Sequence, residues 1–272
     1  MTTSCFKRDD LEGVDIYTTV YPVQYVTDYL YGYNSNVKSI YPAETDIASY
    51  KLTSKQLEEY SKGAIFVYNG LTDEKSIARD LLNANKNMKI IDVSQGLDYN
   101  STVEELWLNP SDFLMLAHNV KNGFEEYINN KYIIEEINKN YENLKVLISS
   151  YDAELQMVPE NAKDTNILIA SDALSFLSKY GFDVINVDES LGEVTSTTKN
   201  KAKKAIKDGY VKYIYMLDNQ EETELIKSLV QEGVKITRLK SMTVLTEDDI
   251  KNSANYKTMM RDNIEEIKRE VY

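Results

Sequence analysis

Eight short apolar runs fall into two sets of four, one on each side of a strand-free stretch from about Ser111 to Met157. No other feature limits the possible folds as tightly. The first set is VDIYTTV (Val14 to Val20), VKSIYP (Val37 to Pro42), AIFVYN (Ala64 to Asn69) and KIIDVS (Lys89 to Ser94). The second is NILIASD (Asn166 to Asp172), DVINVD (Asp183 to Asp188), YIYMLD (Tyr213 to Asp218) and KITRLKS (Lys235 to Ser241). Short β-branched runs that alternate with longer segments of helical period are the pattern of βαβ units. The expectation is an α/β fold of two lobes, each a roughly four-stranded, mainly parallel sheet flanked by helices.

The stretch between the sets has the sharpest helical period in the chain. Ile134, Ile137, Tyr141, Leu144, Ile148, Tyr151 and Leu155 recur three or four apart and share one helical stripe. A helix from about Asn129 to Met157 spans roughly 40 Å at 1.5 Å per residue, more than one lobe needs. Pro159 is expected to stop it. A coiled-coil partner would also account for the stripe, but flanking βα units offer a closer apolar surface. The partition that follows is an N-terminal tether over 1–12, an α/β lobe over 13–128, one long rigid linking helix over 129–157 and a second α/β lobe over 158–272.

Composition removes whole classes of chemistry. The chain has 272 residues with one cysteine, Cys5, and one histidine, His118. Intrachain disulfides and Cys/His zinc sites cannot be built from these. His118 lies in DFLMLAHNVKNGF, a run of helical period, and reads as an ordinary helix residue rather than a triad base. Cys5, near the terminus, lacks a fixed base to make it a nucleophile. The net charge of −13 argues against nucleic acid and against docking on anionic lipid. No run approaches the roughly 18 apolar residues of a membrane span. VYNGL and SQGLD carry one glycine each, so neither a dinucleotide loop nor a phosphate loop is supported, and no cofactor is expected.

Ligand chemistry in α/β lobes gathers at loops beyond the strand ends. Four such loops surround Asp46, Glu105, the Ser171-Asp172 turn and Thr243. The first, ETDIASYKLTSKQL (Glu44 to Leu57), follows a strand and opens a helix, yet offers Asp, Ala and Ser where strong donors would be expected.

The segments TDIASYKLTSKQLEEYSKGAIFVYNGL, KIIDVSQGL, ELWLNPSDFLMLAHNVKNGF, ILIASDALSFLSKYGF and NYKTMMRDNIEEIKREV, in this order and spacing, resemble the zinc- and manganese-type solute-binding lipoproteins of ABC transporters. The likeness covers almost the whole chain. It implies two βα lobes bridged by a rigid helix, with one metal ion held in the cleft by four side chains. The family's first loop has Asp-Pro-His followed by an acid and an aromatic. In TDIASY these positions hold Asp46, Ile47, Ala48 and, for the aromatic, Tyr50, so the first metal ligand is missing. The His before Val-Trp-Leu-Asp-Pro becomes Glu105, and the His or Glu ahead of Asp-Ala becomes Ser171. The fourth ligand falls near Thr243 or Val244, and the nearest carboxylate, Glu247, lies several residues on.

Ala48 donates nothing, Ser171 is a weak neutral donor, and one carboxylate holds a transition ion poorly. The expectation is therefore an extracytoplasmic solute-binding protein of ABC-transporter type, not an enzyme, whose cleft does not take zinc or manganese in the family manner. Its partners would be a transporter permease and an unidentified small ligand. Tyr21, Tyr41, Tyr50 and Tyr68 near strand ends suit an amphipathic organic ligand. An all-oxygen cation site from Asp46, Glu105, Asp172 and Asp218 is the sharp alternative; a ligand-free surface interaction or adhesion module on the same fold is another. Cys5, after TTS, reads either as a free thiol or as a lipidated residue, with the charged and apolar parts of a signal peptide upstream already removed. In the latter case the chain contacts the membrane only through that lipid anchor.

Overall fold

A computed structural model describes residues 11, 13–99, 102–190 and 192–271. Cys5 and most of the tether lie outside the described residues. The two sets of apolar runs form two four-stranded sheets. β1 (Asp15–Thr18), β2 (Asn36–Ser39), β3 (Ile65–Tyr68) and β4 (Lys89–Asp92) pair in the order β2-β1-β3-β4. β5 (Asn166–Ile169), β6 (Asp183–Asn186), β7 (Tyr213–Leu217) and β8 (Lys235–Leu239) pair in the order β6-β5-β7-β8. Every pairing is parallel. Both orders reverse direction beside the first strand of the set, which makes a switch point at the carboxyl ends of β1 and β3, and likewise of β5 and β7.

Among the described residues, ten α-helices connect and cover the strands: α1 (Tyr21–Tyr31), α2 (Ser54–Tyr60), α3 (Glu74–Ala84), α4 (Glu105–Leu108), α5 (Pro110–Tyr127), α6 (Lys131–Glu160), α7 (Ser196–Lys207), α8 (Glu224–Gln231), α9 (Glu247–Lys251) and α10 (Tyr256–Val271). A long 3-10 helix, Asp172–Tyr180, replaces an α-helix after β5. Local chemistry sets several of these ends. Pro22 sits in the first turn of α1, where its missing N–H leaves no bond unmade. Thr53 and Gln56 form a capping box on α2, and Thr246 and Asp249 form one on α9. Among the described residues, no helix is long and apolar enough to cross a membrane.

The chain forms two compact units that are discontinuous in sequence. The first comprises residues 1–98, 114–146 and 243–252; the second comprises 99–113, 147–242 and 253–272. This differs from the contiguous partition at 128 and 157. The segment 99–113 belongs to the second unit because its apolar residues find partners there. Trp107 is fully buried, its Nε1–H donates to the Ser241 carbonyl at 2.7 Å, and its own carbonyl accepts from the Tyr256 hydroxyl at 2.7 Å. Phe113 stacks on Tyr256 with ring centroids 3.9 Å apart. The segment 243–252 returns to the first unit, where the Thr243 carbonyl accepts from the Tyr21 N–H at 2.9 Å and the Leu245 carbonyl from the Glu44 N–H at 3.1 Å.

The long helix exists as expected, and the chain passes from one unit to the other within it. Two details differ. The buried stripe begins at Ile133 rather than Ile134, which is half-buried, and continues to Val158. Pro159 does not stop the helix; it occupies the last turn, and Glu160 ends it. There the exit is held by Asn161 N–H to the Met157 carbonyl at 3.3 Å and Ala162 N–H to the Pro159 carbonyl at 3.2 Å. A proline in a final turn removes only one helical bond, so the strict breaker rule fails.

Candidate functional site

In the first unit, the loop after β2 keeps Ala48 exposed in a turn closed by Asp46. One oxygen of the Asp46 carboxylate accepts the Ala48 N–H at 3.1 Å, and the other accepts the Ser49 hydroxyl at 2.7 Å. The Ser49 hydroxyl and the Ala48 N–H hold the Asp46 carboxyl below its ordinary pKa. Asp46 thus serves its own turn. Tyr50 is also structural: its hydroxyl donates to the Ile40 carbonyl at 3.0 Å and accepts from the Gln56 amide at 2.9 Å. α2 starts only at Ser54, so the loop is longer than a direct entry into a helix.

The Tyr50 ring meets Tyr41 edge-on at 5.2 Å. Beneath them lies Glu74, the first residue of α3, only 4% exposed. Its carboxylate accepts the Asn69 N–H at 2.8 Å and is hydrogen-bonded by the Tyr41 hydroxyl. Burial dominates these bonds and raises the Glu74 pKa to about 7; burial likewise pushes the Tyr41 phenol well up. Above this network, at the carboxyl ends of β1 and β2, is a pocket of about 350 Å³ lined by Tyr21, Gln24, Ser39, Tyr41, Val244 and Leu245, among others. None of its lining residues is charged. Thr243, next to Val244, is buried.

In the second unit, Glu105 opens α4 and is 4% exposed, fixed by the burial of Trp107 two residues on. Its Oε1 lies 3.8 Å from the Lys179 Nζ, whose side chain is 61% exposed. Ser171, two residues past β5, is fully buried, and its Oγ has no hydrogen-bond partner among the described residues. Asp172 is committed locally: its Oδ1 accepts the Ser175 hydroxyl and the Asn186 amide, each at 2.5 Å. Its N–H donates to Asp188 at 2.7 Å. Asp218 accepts the Ser241 N–H at 2.9 Å and faces Lys240 at 3.6 Å. His118 packs against the Tyr141 ring at 5.7 Å, as an ordinary helix residue does.

The four positions that the resemblance marks as metal ligands divide two and two: Ala48 and Thr243 belong to the first unit, Glu105 and Ser171 to the second. They offer a methyl, two hydroxyls and one carboxylate. Among the described residues, no group of three or more His, Cys, Asp or Glu side chains is placed to hold a metal ion. This donor set does not fit zinc or manganese, which require charged or imidazole donors to replace bound water. Sequence reasoning missed Glu74, Gln24, Ser39 and Lys179. Glu74 has a visible signal, an acid directly after the turn NGLTD; Lys179 has none, because its pairing with Glu105 spans many residues.

Two α/β units, each on a four-stranded parallel sheet, with one long helix carrying the chain from the first to the second, define the class of fold. Residues 16–270 match the family described as ZnuA, zinc-uptake complex component A, periplasmic, and the chain belongs to that family. It is similar to the zinc-binding protein AdcA of Streptococcus pyogenes serotype M3, 23% identical over 94% of this chain and 55% of that protein. The chain thus spans about half the length of the curated relatives it matches. In fold it is similar to the Zn(II)-bound ZnuA-like domain of Streptococcus pneumoniae AdcA, with a TM-score of 0.75 and 22% identity over 95% of this chain and 99% of that one. It is similar also to the laminin-binding protein Lmb of Streptococcus agalactiae, with a TM-score of 0.75 and 17% identity over 96% of this chain and 100% of that one.

Proposed function

We propose that the chain is the extracytoplasmic solute-capturing component of an ABC-type importer, that it hands its cargo to a transporter permease, and that the cargo is a small organic solute rather than zinc or manganese. One observation carries the reading: of the four family ligand positions, only Glu105 is charged, and Lys179 already stands beside it. A carboxylate with a lysine as neighbour has lost part of its pull on an incoming divalent cation. The pocket beside Tyr21 and Tyr41 supports an uncharged cargo that combines an apolar face with hydrogen-bonding groups, which the Gln24 amide and the Ser39 hydroxyl match. Lipidation at Cys5 belongs to the same proposal, as the tie to the membrane.

The test is thermal unfolding of the purified chain with zinc, with manganese, with chelator and with a panel of neutral metabolites, alongside elemental analysis after dialysis. The proposal expects no metal-dependent rise in Tm and no retained metal, with a rise of several degrees for one class of neutral solute. Stoichiometric zinc or manganese that survives dialysis would overturn it. A response to neither metal nor solute would instead favour a surface interaction module, the reading that the adhesin activity named for Lmb brings to this fold.

A further inference from the structure

One helix of this acidic chain carries five lysines and no acid. Lys199, Lys201, Lys203, Lys204 and Lys207 all lie on α7, and no acid occurs between Glu193 and Asp208. α7 packs through Ala202, Ala205 and Ile206, which join the apolar core of the second unit. At about 100° per residue, Lys204 and Lys207 lie on the arc opposite those three, Lys201 and Lys203 lie on its two flanks, and Lys199 lies beside Ile206 at the edge of the core face. All are exposed except Lys199, which is half-buried. Lys199 faces Glu193 at 3.8 Å and Lys203 faces Glu232 at 3.4 Å. Lys201, Lys204 and Lys207 have no ion pair among the described residues. Just past the helix, Tyr210 is 53% exposed, with its N–H bound to the Ala205 carbonyl at 3.0 Å.

We propose that this lysine face of α7, with Tyr210 at its rim, docks on the surface of an anionic phospholipid bilayer. The net charge of −13 argues against such docking only if all charges act together. In physiological salt, interactions between exposed charges fade over about 8 Å, so a contact is governed by what lies at it. Here that is a row of lysines on a helix, three of them outside any ion pair among the described residues, with one acid, Asp208, at its C-terminal end, where its N–H binds the Lys204 carbonyl at 2.9 Å. The patch is an outward helix face built from lysine without arginine, which suits a diffuse layer of lipid phosphates better than the grooves or stacked bases of a nucleic acid. A tyrosine at the rim has an apolar body and a polar tip, the form that settles at headgroup depth. Each lysine close to an anionic membrane strengthens attachment roughly fivefold, so three unpaired lysines account for about a hundredfold.

The test is co-sedimentation of the full chain with vesicles of phosphatidylcholine alone and of phosphatidylcholine mixed with phosphatidylglycerol. Without any added lipid anchor, the chain should pellet with the mixed vesicles at low salt, stay in solution with the neutral ones, and be released by high salt. The triple variant K201Q/K204Q/K207Q should bind the mixed vesicles about a hundredfold more weakly at an unchanged Tm. K51Q/K55Q, which removes two exposed lysines of the first unit, should bind as the parent does. The idea fails if the parent ignores anionic vesicles, if the triple variant binds them as well as the parent, or if the parent binds duplex DNA but not vesicles. Solute and metal responses are measured separately, so failure here leaves the proposed cargo reading intact, and the reverse.

Discussion

At the scale of single residues, Ser171 and Glu74 carry opposite kinds of stress. The Ser171 hydroxyl is buried and has no hydrogen-bond partner among the described residues, so its burial is not offset by a protein hydrogen bond from them. Ser171→Ala removes that hydroxyl at nearly constant shape, and urea unfolding should show stability unchanged or raised by about 1 kcal/mol. A loss of more than that would mean the hydroxyl has a partner. For Glu74, the folded pKa of about 7 stands above its ordinary 4.5. The folded state therefore holds this proton more tightly than the unfolded one. Its contribution is full below pH 4.5 and fades as pH rises through about 7, by roughly 3 kcal/mol. Glu74→Gln cannot titrate. Unfolding free energies at pH 5 and pH 8 should fall between the two values for the parent and stay closer to level for the variant. The sequence shows plainly which residues stand at the positions the resemblance marks as ligands, since Ala48 and Ser171 can be read from local motifs. It does not expose Glu74 as a buried acid or Lys179 as the neighbour of Glu105, because burial and long-range pairing are properties of packing.

At the scale of elements, strand positions were legible because β-branched runs bounded by polar residues leave few choices; seven of the eight runs contain their strand, and β2 starts one residue before its run, at Asn36. The observed strands are shorter than the runs, four or five residues each, because the last apolar residues turn into loops at the sheet edge. Helix ends were less legible. Pro159 is the clearest case: one lost bond in a last turn is tolerable, and the sequence does not say which turn is last. α5 carries a less visible constraint. Gly123 lies inside it, where alanine would ordinarily favour the helix by about 1 kcal/mol. Here a Cβ at this position would meet Ile91 Cγ2 at 2.5 Å, the side chain through which β4 packs on α5. Gly123→Ala should therefore destabilise the chain, by about 1 to 3 kcal/mol. A urea midpoint equal to or above the parent's would show that α5 can shift away from β4. Smaller than additive loss in the double variant with Ile91→Ala, which removes the γ carbons that the new Cβ meets, would confirm the contact as the cause.

At the scale of the whole chain, the sequence supports two α/β units but hides how each is assembled. Contiguous partition at 128 and 157 looks natural because the strands sort cleanly on either side of the long helix. Yet strand sorting says nothing about which unit buries a short helix such as α4, or where the segment after β8 returns. The residues that decide are Trp107, held by Ser241 and Tyr256, and Thr243 and Leu245, whose carbonyls cap backbone N–H groups at Tyr21 and Glu44. A fragment of residues 13–128 would contain the first sheet yet lack 243–252 and the part of α6 that its unit uses. It would also carry Trp107 and Phe113 without Tyr256, leaving two large aromatic side chains in water where the full chain buries them completely. Uncovering each of these rings removes about 2 to 3 kcal/mol of burial, and unpaired backbone groups add to the loss. Against a typical domain stability of 5 to 15 kcal/mol, that is enough to abolish a cooperative fold. The fragment should therefore show a broad, non-cooperative thermal transition by circular dichroism and bind a hydrophobic dye, while the full chain unfolds sharply. A sharp transition in the fragment would mean that the first sheet closes its core without the returning segment, and that the sequence partition describes the folding units after all.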